Sequence, residues 1–228
     1  AGGAAVSNSD GSITSQVSAN QTAGFSIVSY TGNGSNSQTV GHGLGKTPSF
    51  IILKDRDSNS ISNRWTIFHS SLLSSNFEFT DSAAFGFQSR GSITARNSST
   101  FTLYGSTDAL TVNENGDDYI AYCWTEIEGF SKFGSYEGND STDGIFVYTG
   151  FQPAFIMVKR TDSSGTGWIM MDNARDTYNV MTNNLAADTD GVENSERSTI
   201  PVDFLSNGFK WRINYSDVNG ASGGSYHT

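Results

Sequence analysis

Two short apolar runs frame the chain: SFIILK at 49–54 and AFIMVK at 154–159, each entered from a proline. Both are rich in β-branched and aromatic residues and too short for a helix, so each predicts a central strand. Pro48 and Pro153 favour extended backbone just before them and mark strand entry. Lys54 and Lys159 are expected to emerge into water at the strand ends. RWTIFHS at 64–70 and WIMMD at 168–172 come next, each behind a loop of turn formers, DRDSNSISN or RTDSSGTG. One hairpin in each half of the chain follows.

GFQSRG at 86–91 and NSSTFTLYGS at 97–106 predict two more strands in the first half, and FLSNGFKWRINYS at 204–216 does the same in the second. Asn207-Gly208 is the kind of dipeptide that supplies positive φ in a tight hairpin turn. YIAYCWTEI at 119–127 is apolar on both alternating faces, which predicts a central strand running toward Glu126 and Glu128. The most helical stretch is 172–188, but Asn and Thr weaken it. A loop with one short turn capped by Asp172 is the expectation.

The elements occur twice. Gly24-Phe25-Ser26 recurs as Gly129-Phe130-Ser131, Tyr30 as Tyr136, and Pro48 as Pro153. SYTGNGSNS at 29–37 answers SYEGNDSTD at 135–143. Phe101 aligns with Phe209, Val112-Asn113 with Val218-Asn219, and NGDDY at 115–119 with GGSY at 223–226. An ordered series of matches across a unit of about 105 residues, with offsets that drift by a few residues as turn insertions would produce, is the mark of repeated architecture. The expected fold is all-β, with two tandem duplicated β-sandwich domains of jelly-roll or lectin-like type. The boundaries are 1–23, an N-terminal arm or linker anchored by Ile13 and Val17; 24–128, copy one; and 129–228, copy two. Copy two is expected to lack its closing strand, since Tyr119 leads into YIAYCWTEI while Tyr226 is followed by His227-Thr228. The shared Tyr and Gly-Asn of the repeated turn are expected to be scaffold.

Composition narrows the function. The 228 residues carry a formal net charge of −10, only 16% are charged, and no Lys/Arg cluster occurs. Phosphate neutralisation needs a basic surface, so nucleic acid is excluded as a partner. No apolar run approaches the roughly 20 residues of a membrane-spanning helix. The 25 glycines imply many tight turns. Cys123 is the single cysteine, so no intrachain disulfide forms, which suits assembly in a reducing cytoplasm.

Candidate chemistry is sparse. Cys123 lies in an apolar strand, where a structural thiol is expected rather than a nucleophile. His42, His69 and His227 have no zinc-ligand spacing. GHGLGKTP at 41–48 lacks the first glycine of a phosphate loop. DRDSN at 55–59 offers alternating oxygen ligands but fails the EF-hand pattern, with Ser60 at the sixth position and Thr66 at the twelfth. Asp140 and Asp143, in the more acidic of the two repeated turns, are the candidates for a structural calcium. Glu126 and Glu128 would share a face if their strand ran that far, as a glycosidase pair must flank one bond. Trp65, Tyr136, Tyr148 and Trp168 adjoin polar loops and are the candidates for stacking on a glycan or a partner.

The paired GFS, Y-x-GN and PxFI elements, with YIAYCW, resemble a duplicated β-rich domain of uncharacterised function in structural proteins of marine tailed bacteriophages. The resemblance runs from Gly24 to the C-terminus and is most specific over 129–162. It implies a non-enzymatic virion component, such as a tail fibre, head fibre or capsid decoration, and with it localisation to the virion. The implied partners are other virion proteins, further copies of the chain and a host surface glycan. A carbohydrate-binding receptor module is the alternative, and a glycan depolymerase the third reading. The resemblance carries no catalytic residue and no cofactor.

Overall fold

The computed structural model describes residues 2–57, 65–72, 75–79, 83–86, 92–104, 112–194, 199–220 and 223–228. The chain divides into two units, one of Ala1–Glu78 with Phe85–Ile127, the other of Phe79–Ala84 with Glu128–Thr228. Every paired strand is antiparallel, so the fold is all-β with several antiparallel sheets.

Unit 1 contains β1 (Val6–Asn8), β2 (Ser15–Asn20), β3 (Phe25–Thr31), β4 (Gln38–Gly41), β5 (Phe50–Asp55), β6 (Trp65–His69), β7 (Ser75–Glu78), β8 (Phe85–Gly86), β9 (Ser92–Arg96), β10 (Thr100–Tyr104) and β11 (Asp118–Trp124). They form a sheet ordered β1-β2-β3-β11-β5-β6-β7-β8 and a smaller one ordered β4-β10-β9. Val28, Leu53, Ala121 and Cys123 of the larger sheet share one buried cluster with Val40, Ile93, Phe101 and Leu103 of the smaller. Burial along β11 alternates, with Tyr119, Ala121 and Cys123 buried and the residues between them half-buried. Its other face gathers rings, because Phe25 and Phe50 lie 4.9 and 5.6 Å from Trp124.

Unit 2 contains β12 (Ser135–Glu137), β13 (Phe146–Tyr148), β14 (Phe155–Arg160), β15 (Trp168–Asp172), β16 (Leu185–Ala186), β17 (Val202–Leu205), β18 (Gly208–Trp211) and β19 (Ser225–His227). The sheets are ordered β12-β19-β14-β15-β16 and β13-β18-β17. Ile156, Val158, Ile169 and Tyr226 of one pack in a single cluster with Val202, Phe209 and Trp211 of the other. Each fully buried large apolar side chain contributes roughly 1.5–3 kcal/mol to folding.

Both predicted hairpins are present, as β5 with β6 and β14 with β15. The loop residues 58–64 of the first, and most of GFQSRG, lie outside the described residues.

Several expectations are revised. The stretch 1–23 supplies β1 and β2, which extend the larger sheet beside β3. Ile13 is bridged to Val40 and 7% exposed, Ser15 and Val17 are buried, and Thr14 and Gln16 are exposed, so this stretch alternates as a strand with one buried face does. Lys159 does not emerge into water. It is fully buried because the following loop folds back and Thr166 accepts from its Nζ, with the carbonyl oxygen at 2.5 Å. The β17–β18 turn is Ser206-Asn207, since Leu205 pairs with Gly208. Gly208 lies within a strand, and its missing side chain admits the Val147 carbonyl and the Phe146 ring. In 172–188 Asp172 does cap a turn, accepting from the N–H groups of Ala174 and Arg175, and the segment ends in the short strand β16. β11 stops at Trp124, before Glu126, so the strand that would align a carboxylate pair is absent there.

Candidate functional site

The repeated turn is held in each unit by an asparagine from far along the chain. In unit 1 the Asn113 amide accepts from the Asn33 N–H at 3.0 Å. It donates to Asn33 Oδ1 at 3.1 Å and to the Ser35 carbonyl at 2.7 Å. In unit 2 the Asn219 amide accepts from the Asn139 N–H at 3.1 Å and donates to Asn139 Oδ1 at 2.8 Å and the Ser141 carbonyl at 2.9 Å. The backbone donor fixes which way each amide faces. Gly34 takes φ 70° and its counterpart Asp140 takes φ 52°, and both N–H groups reach the carbonyl of the latching asparagine. Asp140 thus occupies a left-handed position that Asp tolerates better than most residues.

A tyrosine pair backs each latch. Tyr30 donates to the Val112 carbonyl at 2.6 Å and stacks on Tyr119 at 5.1 Å. Tyr136 donates to the Val218 carbonyl at 2.8 Å and stacks on Tyr226 at 5.2 Å. Unit 2 adds one bond, from Trp211 Nε1 to the Tyr136 hydroxyl at 2.8 Å. Burial pushes the Tyr30 and Tyr136 phenols well above their ordinary range, so both stay neutral donors.

The acidic chemistry lies in unit 1. Asp55, Glu114 and Asp117 bring carboxylate oxygens within 4.8 Å of one another. Asp55 ends β5 opposite Tyr119, which sets it beside the loop that carries Glu114 and Asp117. Burial, and then the charges of Asp55, Glu114 and Asp57, hold the Asp117 carboxyl above the ordinary range. These three residues could coordinate a divalent ion such as Ca²⁺, which prefers clustered oxygen ligands. Asp55 begins the DRDSN run, but the other two acids come from more than 50 residues further along the chain. Matching backbone bonds place Asp117 and Gly224 at the same point of the two units, from Gly32 N–H to the Asp117 carbonyl and from Gly138 N–H to that of Gly224. Asp55 corresponds to Arg160, since Tyr119 and Tyr226 are their partners across the sheet. Glu114 corresponds to Gly220, each following the latching asparagine. Arg160 pairs with Asp162 at 2.7 Å, so at this corner unit 2 has an ion pair where unit 1 has the acidic group.

Among the described residues, the group of three acids that gathers is in unit 1 and does not include Asp140 or Asp143. The Asp143 carboxylate is held by Lys210 at 2.7 Å and Arg212 at 3.4 Å, and the Lys210 hydrogen bond, with its charge, keeps its pKa low. A carboxylate already matched by two cations is a poor calcium ligand.

The aromatic candidates separate by exposure. Tyr136 is 9% exposed and Trp168 3%, so neither offers a face to a ligand. Tyr136 is held by the core bonds above, and Trp168 sits edge-on to Phe79 at 5.1 Å. Trp65 is 36% exposed, with Lys54 Nζ 5.8 Å from its ring centre. Tyr148 is 65% exposed on β13, two residues from Phe146 at 40%, whose ring packs over Gly208. Phe146 is the residue that sequence reasoning missed; the period-two signal F-x-Y in a short strand could have revealed it.

The remaining candidates are structural. Burial pushes the Cys123 thiol up to about 12, which removes the thiolate at neutral pH. His42 is buried, with Nε2 on the Asn97 carbonyl at 3.1 Å and Nδ1 accepting from the Leu44 N–H at 3.2 Å. His69 accepts the Ser71 N–H at 3.1 Å. His227 is buried in β19 with Ser225 Oγ 3.4 Å from Nε2. Among the described residues no helix is long and apolar enough to cross a membrane.

These observations define an all-β protein with an asparagine-latched turn in each unit and an acidic cluster in one. The chain belongs to the family described as Domain of unknown function (DUF7483), whose profile matches residues 1–227. No curated protein and no solved structure matches the chain.

Proposed function

We propose that the chain is two tandem β-sandwich domains of one plan and acts as a non-enzymatic structural component on the surface of a bacteriophage particle. The observation that carries the tandem reading is the recurrence of the latch, donor by donor, 106 residues on, from Tyr30, Asn33 and Asn113 to Tyr136, Asn139 and Asn219. The virion assignment rests on the sequence resemblance, and a β-rich chain with few charged residues suits such a part. Its partners are then other virion proteins and further copies of the chain. Cryo-electron microscopy of the particle tests this: density for the chain at repeated surface positions is expected. Its absence from purified particles would overturn the assignment.

One feature favours a second reading, a carbohydrate-binding receptor module. Phe146 and Tyr148 present two exposed rings on one side of β13, with Lys210 paired to Phe146 across the sheet. Sugars stack on such faces. A glycan array probed with the chain and with Tyr148→Ala tests it: binding lost in the variant supports the reading, and no binding by the parent ends it.

A further inference from the structure

The larger sheet of unit 1 turns alternate side chains away from the core. On that outer face Gln16 of β2 lies opposite Ser29 of β3, and Thr31 of β3 lies opposite Asp118 of β11. Thr14 falls on the same side as Gln16, and Arg56 leaves β5 with its N–H on the Asp118 carbonyl at 2.8 Å. With Tyr30 and Tyr119, whose side chains are buried on the other face, these residues line a hollow of about 250 Å³. The Thr31 hydroxyl donates to Asp118 Oδ1 at 2.7 Å, which orients both side chains. Ser29 is half-buried and the other polar side chains of the lining are exposed, so the hollow opens to solvent. Unit 2 builds the same corner from other groups. Thr31 corresponds to Glu137, Asp118 to Ser225, and Arg56 to Thr161, whose N–H reaches the Ser225 carbonyl at 3.0 Å. Among the described residues no strand pairs with β12 on the side that β2 takes beside β3, so the wall of Thr14 and Gln16 has no counterpart.

We infer that this hollow is a saccharide site, and that its occupant is a neutral sugar residue. Its walls carry hydroxyl, amide, carboxylate and guanidinium groups, a set that meets both the donor and the acceptor of each sugar hydroxyl. At ~30 Å³ per water the hollow has the room of about eight waters, enough for one pyranose ring. Asp118, with the Asp57 carboxylate accepting its N–H at 2.7 Å, and the net charge of −10 oppose an anionic ligand. Arg56 opposes a cationic one. One row further along the same face, Tyr122 lies opposite Ile27 and stacks on Phe25 with ring centres 6.5 Å apart. That half-buried ring offers the apolar C–H face of a sugar a surface beside the polar hollow. The site belongs to unit 1 and does not depend on the exposed rings of Phe146 and Tyr148 in unit 2.

The probes are the methyl glycosides of glucose, galactose, mannose and N-acetylglucosamine, titrated to tens of millimolar into the full chain and followed by amide NMR. At least one is expected to shift the amides of 14–16, 29–31 and 118–119 and to leave 135–137 and 225–226 in place. Arg56→Ala, at an exposed position where substitution disturbs folding little, is expected to bind that glycoside about tenfold more weakly, the loss of one hydrogen bond from a charged donor. Tyr148→Ala is expected to bind it as the parent does. No shift at 14–16 and 29–31 with any of these glycosides would overturn the inference, as would undiminished binding by Arg56→Ala, or tighter binding of methyl glucuronide than of methyl glucoside. Shifts confined to 146–148 and abolished by Tyr148→Ala would also overturn it, while supporting the glycan reading of β13.

Discussion

The two units hold the same turn by the same bonds and differ in the charges and exposed rings around it. In each, an asparagine some 80 residues downstream closes the Gly-Asn turn, and a stacked tyrosine pair fixes the strand beneath it. At the corner where unit 1 gathers Asp55, Glu114 and Asp117, unit 2 has Arg160 and two glycines. Where unit 1 covers Phe50 with β11, unit 2 exposes Phe155. The bonds that hold the turn coincide, and the charges around it differ.

The largest expected effect tests the rings. Phe50→Ala removes a buried ring and should cost about 3 kcal/mol. Phe155→Ala removes a half-exposed one and should cost no more than about 0.5 kcal/mol. Urea unfolding of both variants measures the difference. Equal losses would mean that Phe155 is packed as well as Phe50, and the contrast between the rings would be lost.

Removal of either latch comes next. Asn113→Ala and Asn219→Ala each remove the part-buried bonds that the amide makes to the turn backbone and to the facing asparagine, at a cost of about 2 kcal/mol. The two losses should agree within about 0.5 kcal/mol if the latches are equivalent. Calorimetry and hydrogen exchange at 33–35 and 139–141 would show whether each loss stays in its own unit.

Part of this was legible in the chain itself. The Val-Asn alignment marks both latching residues, because the repeat spacing carries through to them. Their role was hidden, since nothing local links Asn113 to Asn33 until β3 and β11 pair. The acidic cluster was hidden for the same reason: the β5–β11 register is what sets Asp55 beside Asp117. The strand at 15–20 left a faint signal, because its inward positions include Ser15 as well as Val17, so the alternation is weakly apolar. Lys159 defeated the general rule for lysine because a backbone carbonyl seven residues on captures its ammonium.

The tyrosines give a smaller and more selective contrast. Tyr30→Phe leaves the Val112 carbonyl without its hydroxyl donor and should cost about 1 kcal/mol. Tyr136→Phe strands the Val218 carbonyl and also Trp211 Nε1, so about 2 kcal/mol is expected. A larger loss for Tyr30→Phe would show that the two pairs are not built alike.

The smallest effects are electrostatic, and the two units should respond with opposite sign. The Asp117 carboxyl is held above its ordinary range, so the folded state retains that proton more strongly than the unfolded chain does. Its contribution is favourable at low pH and is lost as pH rises through the raised value. Asp117→Asn should therefore raise Tm at pH 7 and do little near pH 3. Ca²⁺ at the same carboxylates would relieve the same repulsion, so any Tm gain it gives should vanish in that variant. The Asp143 carboxyl is held low by Lys210, so its contribution is present above the ordinary carboxylate range and lost as pH falls through the depressed value. Asp143→Asn should lower Tm slightly at pH 7, and high salt should erase the difference, because this pair is exposed to solvent. Thermal scans of both variants from pH 3 to pH 8 decide the matter. Shifts of the same sign at pH 7 would mean that the acidic corner of unit 1 is already neutralised, by a proton or by an ion, and that the charge contrast between the units is smaller than their sequences suggest.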